Sequence, residues 1–183
     1  MNKGKTTCSV CHEKGHTYNY CSRRLALSQL HVIPFGGSSD ILSNFYPCKI
    51  EICDITFPSA EHAYQYTKAR MCGYEQLAAQ ILDAPTAWQA KKLSRHIDIT
   101  PQWEEEKYMY MVQINRAKCQ QVKEYYDVLC HSQDSILVEA VLGDTIWSCG
   151  LPKTVAAYFK PEDWPGENRM GQIHMWIRNE IVL

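Results

Sequence analysis

Residues 42–70, LSNFYPCKIEICDITFPSAEHAYQYTKAR, set a polar loop, two short strand-like runs and a polar-faced helix in succession, and the rest of the chain reads as their support. Residues 49–52 and 55–57 fit two strands turning around Asp54. Pro58 and Ser59 mark a helix start, since a serine hydroxyl can accept from an otherwise unpaired backbone N–H. The helix is expected over 60–70. At 3.6 residues per turn Glu61, Gln65 and Lys68 fall on one face with Tyr64 beside them, while Ala63, Tyr66 and Ala69 turn elsewhere. That stripe offers a carboxylate, an amide, an amine and a phenol. Glu61 sits in the first turn, where the helix dipole favours negative charge. A solvated face with a spaced Glu/Lys pair is the bland alternative.

Working outward, residues 31–35 read as a strand ending at Pro34, followed by a loop at 36–40 whose glycine pair lacks the further glycines of a dinucleotide fingerprint. Asn44 can offer a donor and an acceptor to a ligand, or bond its own turn. Helical patterns follow over 75–82 and 85–95, with Ala84, Trp88 and Leu93 expected inside and Lys91, Lys92 and Arg95 on a solvated surface. Thr100 and Pro101 open the longest helix, whose apolar positions are Tyr108, Met111, Val112, Ile114 and Cys119; Met109 is also assigned to the core. Residues 124–131 form another helix. Residues 136–141 form a strand in which Glu139 must be paired, face water or serve a site. The last helix, over 170–182, is expected to bury Ile173, Trp176, Ile177 and Ile181. GENRMG at 166–171 can bring backbone N–H groups to a phosphate, with Asn168 as a helix cap the competing local explanation.

Ahead of all this, CSVCHEKGHTYNYC at 8–21 spaces Cys8, Cys11, His16 and Cys21 as C-x2-C-x4-H-x4-C. Three thiolates and an imidazole close a tetrahedral shell around Zn²⁺, and Gly15 permits the tight turn to His16. The spacing resembles the zinc knuckle of nucleic-acid-binding proteins. So short a segment has no core, so metal would fold it, and the closed shell makes the zinc structural. Knuckles that grip single strands place an aromatic after the first cysteine; here stand Ser9 and Val10, with Tyr18 and Tyr20 as the substitutes.

At 183 residues the chain can bury one sizeable core with a small appendage. The divisions expected are a knuckle at 1–24, a linker at 25–30 and a larger domain at 31–183. Residues 1–24 hold five basic side chains against Glu13, net +4, and the remainder is net −5. A basic head on an acidic body suits phosphate, and single-stranded nucleic acid is the partner this suggests. No apolar run reaches the ~18 residues of a membrane span, and MNKGKTTC lacks the core of a signal peptide. The expectation is a soluble intracellular protein, of cytoplasm or nucleus, with no membrane contact and reduced thiols.

Several pieces then agree in order and spacing: Ser43-Asn44-Phe45; Ser59-Ala60-Glu61-His62 with Gln65 and Lys68; Trp103 with Lys107; Leu137-Val138-Glu139; Asp144 with Trp147 and Gly150; and Gly166-Glu167-Asn168-Arg169-Met170-Gly171 leading to Arg178. Together they resemble the NADAR family, also called YbiA-like, over most of the chain. The resemblance implies an α+β, mainly helical, compact domain with a few short strands. It also implies a hydrolase acting on N-glycosidic bonds of ADP-ribose-like or ribosylated-base compounds, with no catalytic cofactor. Ser148 and Cys149 depart from the family's glycine and acidic residue.

On that resemblance Glu61, Lys68 and Asp144 carry the chemistry. Glu61 and Asp144 take charge-stabilising and acid/base duties, and Lys68 is either a partner of Glu61 or an amine nucleophile. Trp103 and Trp147 stack the base or adenine; a staple at the helix entrance is the other reading of Trp103, and the resemblance favours stacking. Asn44, Gly166, Asn168 and Arg169 hold ribose and phosphate. The substrate expected is ADP-ribosylguanine in nucleic acid or nucleotide. Ribosylamino-pyrimidine intermediates of riboflavin synthesis are the alternative substrate, and a non-catalytic ADP-ribose or NAD-binding module is the alternative of a different class.

Overall fold

The computed structural model describes residues 6–24 and 31–182. The linker expected at 25–30, and Lys3 and Lys5 of the basic head, lie outside the described residues. In chain order the elements are β1 (Val32–Phe35), β2 (Ile50–Ile52), β3 (Ile55–Phe57), α1 (Ala60–Met71), α2 (Glu75–Leu82), α3 (Ala87–Leu93), α4 (Pro101–Gln121), α5 (Lys123–His131), β4 (Ile136–Glu139) and α6 (Arg169–Val182). The fold is α+β and mainly helical. It divides into two units, one of residues up to Gly36 with Ser132–Trp176, the other of Gly37–His131 with residues from Ile177 onward.

In the first unit β1 and β4 pair in parallel, Val32 opposite Ile136 and Phe35 opposite Glu139. Leu137 and Val138 are fully buried, as the apolar run of a strand covered on both faces requires. β1 does not stop at Pro34, which lies within the pairing opposite Val138. A two-stranded sheet leaves each strand an outer edge, and proline, lacking an N–H, is tolerated there. β4 is shorter than the expected 136–141, because Ser148 intervenes: its Oγ accepts from the Val141 N–H at 2.7 Å and donates to the Glu139 carbonyl at 2.7 Å.

The second unit opens with the β2–β3 hairpin, Ile50 opposite Phe57. Cys53 and Asp54 have φ of 50° and 61°, the left-handed pair that matches a tight hairpin to strand twist. α1 is capped as its sequence implies, the Ser59 Oγ accepting from the His62 N–H. It packs against α2, α3 and α4. Alanines at 69, 78, 84 and 90 line one buried cluster with Ile81 and Ile97, letting the helices approach closely. Thr100 caps α4, accepting from the Trp103 N–H, with Pro101 in its first turn.

Five expectations about the core are corrected. Trp88 and Leu93 are 54% and 38% exposed, because the seven-residue α3 docks through Ala87 and Ala90 and its large side chains overhang. Met109 is exposed and Met111 buried, since residues two apart cannot share a helix face. Tyr108 is on the surface, and Trp176 is 44% exposed at the border of the face that Ile173 and Ile177 define.

Candidate functional site

In the second unit α1 is sunk into protein through its first two turns, and the bland reading of its polar stripe does not hold. Glu61 is 4% and Gln65 6% exposed. Burying a carboxylate and an amide without partners would cost several kcal/mol. Here they form a chain: Gln65 Nε2 donates to Glu61 Oε1 at 2.8 Å, the Ser94 hydroxyl donates to Gln65 Oε1, and Lys68 Nζ donates to the Ser94 carbonyl at 3.1 Å. Burial pushes the Lys68 amine below its ordinary value, with Cys72 and Glu61 pulling it back. A lysine so placed holds its proton less tightly and is a better nucleophile.

Asn44 lies over the start of α1. Its carbonyl accepts from the Glu61 N–H at 3.0 Å, and its Nδ2 donates to Met111 Sδ at 3.0 Å. The loop is pinned from α4 by Lys118, a fully buried lysine whose Nζ donates to the carbonyls of Ile41 at 2.6 Å and Ser43 at 2.9 Å. Burial lowers its pKa to about 8. The Tyr125 ring lies 4.7 Å below the ammonium. Trp103 is 2% exposed, tilted against Tyr64 at 5.1 Å and stacked on Tyr110 at 5.9 Å. Its ring is engaged by these two protein aromatics at the helix entrance.

In the first unit Asp144, Trp147, Gly166, Asn168 and Arg169 lie on two facing segments. Asp144 Oδ1 accepts from the N–H groups of Ile146 at 3.1 Å and Trp147 at 3.0 Å, so one carboxylate oxygen shapes its own loop. Trp147 is half-buried. The N–H groups of Gly166, Glu167, Asn168, Arg169 and Met170 donate in turn to the carbonyls of Cys149, Thr145, Ser148, Ile146 and Trp147, at 2.9 to 3.2 Å. The amides of this segment, where a phosphate cradle is expected, are engaged by the 145–149 loop. Gly166 is a close-approach glycine: a Cβ there would fall on the Ser148 carbonyl oxygen and 2.8 Å from Thr145 Cα.

Asn168 is likewise structural. At φ 52° its amide reaches the outer edge of β4, Oδ1 accepting from the Glu139 N–H and Nδ2 donating to the Leu137 carbonyl, both at 2.9 Å. The side chain thus supplies the hydrogen bonds a third strand would make. Gly171, where a Cβ would meet the Leu137 carbonyl, lets α6 come that near. Arg169 is partly exposed and pairs with Glu167 at 2.6 Å.

The ligand atoms of Cys8, Cys11, His16 and Cys21 all lie within 4.8 Å of one another. Edges of a tetrahedral zinc–thiolate shell are about 3.8 Å, so the cluster can close on a metal ion such as zinc with small adjustment. A short hairpin presents it: Thr7 bridges Lys14, the Cys8 N–H donates to the Glu13 carbonyl at 2.9 Å, and Gly15 turns at φ 96°. The Val10 N–H points at Cys8 Sγ, 3.4 Å away, as backbone amides do around bound thiolates.

The NADAR domain model matches residues 35–182, and the chain belongs to that family. The solution structure of the E. coli protein YbiA superposes with a TM-score of 0.68 at 26% identity, over 82% of this chain and 84% of that one. N-glycosidase R617 of Acanthamoeba polyphaga mimivirus is 29% identical over 68% of this chain and 74% of its own. Riboflavin biosynthesis protein VVA0006 of Vibrio vulnificus is 31% identical over 76% of this chain, which spans 35% of that longer protein.

Spacing alone finds Glu61, Gln65 and Lys68. It does not find Ser94, which joins Gln65 to Lys68 from the turn after α3, nor Lys118, which has the composition of an ordinary surface lysine. Ser94 and Lys118 reach the site from other elements and cannot be read without the packing that brings them there.

Proposed function

We propose that this protein is an N-glycosidase that breaks the bond between C1′ of ADP-ribose and a base, guanine in nucleic acid or nucleotide. One observation carries the reading: α1 presents the buried carboxylate of Glu61 and the partly desolvated amine of Lys68, joined through Gln65 and Ser94. Breaking an N-glycosidic bond builds positive charge on C1′ and negative charge on the departing base. Glu61 stabilises the first. Lys68 Nζ attacks C1′ as the C1′–N electron pair leaves with the base, which takes a proton. The ribose ring then opens to an imine, and water hydrolyses it to free ADP-ribose and the amine.

In this reading Asp144 assists proton transfer through the oxygen its loop does not engage, Trp147 stacks the base, and Asn44 and Arg169 hold ribose and phosphate. Cys8, Cys11, His16 and Cys21 hold a structural Zn²⁺. Similarity to N-glycosidase R617 supports the reaction class. Similarity to VVA0006 supports a second substrate, a ribosylamino-pyrimidine of riboflavin synthesis, for the same residues.

The test is release of free ADP-ribose from ADP-ribosylated guanine DNA by the intact protein beside Lys68→Ala. Release by the first, with roughly a thousandfold loss in the second, is expected. Borohydride should trap a covalent adduct only where Lys68 is present. Activity on the pyrimidine alone would move the substrate to the second reading, and saturable ADP-ribose binding without release would make the protein a binding module.

A further inference from the structure

The cysteine-rich segment is not a bead beside the first unit; it is part of that unit's core. Cys8, Val10 and Cys21, at 0, 5 and 4% exposure, share one buried cluster with Val138, Ala140, Cys149, Leu151, Val155 and Phe159. Tyr18 and Cys11 pack against the same cluster. At its far end the Arg23 guanidinium pairs with Asp163 at 2.8 Å, and Arg24 lies over the Tyr158 ring at 4.0 Å. Two of the five basic side chains that suited phosphate are thus directed at protein.

Cys149 is the link to the candidate site. Its N–H donates to the Glu139 carbonyl at 2.9 Å and its carbonyl accepts from the Gly166 N–H at 3.0 Å. One residue earlier, Ser148 bridges Glu139 and Val141 through its hydroxyl. The loop carrying Asp144 and Trp147 therefore hangs between the end of β4 and residues 166–170, with Cys149 at its buried corner. Cys149 shares its buried cluster with Cys8, Val10 and Cys21 of the segment, whose 14-residue ligand run is too short for a core of its own and takes its shape from this packing and from the metal its four ligands would hold.

We propose that the metal-bearing segment is an internal prop for the Asp144–Trp147 loop, so that loading Cys8, Cys11, His16 and Cys21 with metal fixes that loop's backbone. Val10, where a base would have to stack, is buried in the cluster that also holds Leu151 and Phe159, Tyr18 packs against that cluster, and Tyr20 is the segment's one strongly exposed tyrosine among the described residues. Metal binding and loop order are then linked equilibria: a metal that binds only the folded segment stabilises whatever that segment packs against. That the propped loop serves substrate rests on the glycosidase reading; the prop itself does not.

Hydrogen–deuterium exchange on the full chain, zinc-loaded and after chelation, separates the two. Zinc removal should speed exchange about tenfold or more in peptides covering 139–150 and 164–170, leaving 101–121 unchanged. A second variant, Val10→Asp, keeps all four ligands; it should still bind one equivalent of zinc while losing protection over 139–150. Should it fail to hold zinc, Val10→Ala is read the same way. Faster exchange confined to 6–24 would overturn the proposal, as would uniform loss through 101–121, which would make the metal a support of the whole chain. Unchanged loop protection with zinc-dependent retention of a single-stranded oligonucleotide would overturn it in favour of a nucleic-acid grip. Turnover followed in parallel reports on the glycosidase reading alone, because exchange is measured without substrate.

Discussion

Two residues show how much a side chain's meaning depends on its neighbours. Lys118 has an ordinary pKa of 10.5 that burial lowers to about 8. Between those values the unfolded chain binds a proton the folded one does not, so this residue makes stability rise with pH. Buried thiols oppose it: Cys119 and Cys149 are pushed up to about 11, and their ionisation in the unfolded chain lowers stability as pH rises. The comparison is therefore with Lys118→Met, in which the thiols remain. From pH 7.5 to 9.5 the urea-unfolding free energy of the intact protein should gain on the variant by about 2 kcal/mol; parallel pH profiles would refute the buried charge. Asn168→Ala should cost roughly 3 kcal/mol, because it strands the Glu139 N–H and the Leu137 carbonyl at a buried strand edge. A lowered melting temperature in the absence of ligand checks this, and a residue that only bound substrate would leave that temperature in place.

At the scale of elements, local signals were reliable wherever the physics was local. Ser59 and Thr100 cap α1 and α4 through their hydroxyls, and the 50–57 hairpin forms around Asp54, because a cap or a turn is settled within four residues. Helix faces were less legible at Trp88, on the short α3 that docks through alanines, and at Met109, two residues from the buried Met111. GENRMG carries a sharper lesson. Its glycines suggest a backbone open to phosphate, yet its amides pair with the 145–149 loop, and Gly166 is there so that two backbones can touch. Gly166→Ala should destabilise the protein by about 2 kcal/mol or more, since the atoms a methyl would meet are backbone and cannot yield. Thermal unfolding measures it, and an unchanged melting temperature would show that the two segments part easily.

At the scale of the molecule, no helix among the described residues is long and apolar enough to cross a membrane. The chain's order of pieces determined the family, the mainly helical α+β class, the metal-ligand spacing and the helix bearing Glu61 and Lys68, all of which rest on short-range periodicity, capping and ligand chemistry. Only the tertiary structure decided that the polar stripe of α1 is buried, that Ser94 completes it, that Lys118 pins the Asn44 loop, that Trp103 and Asn168 support the fold, and that the cysteine segment lies in a core with Cys149. Each of these joins residues far apart in the chain, and burial and pairing at such separations are set by how elements pack, which no local pattern encodes.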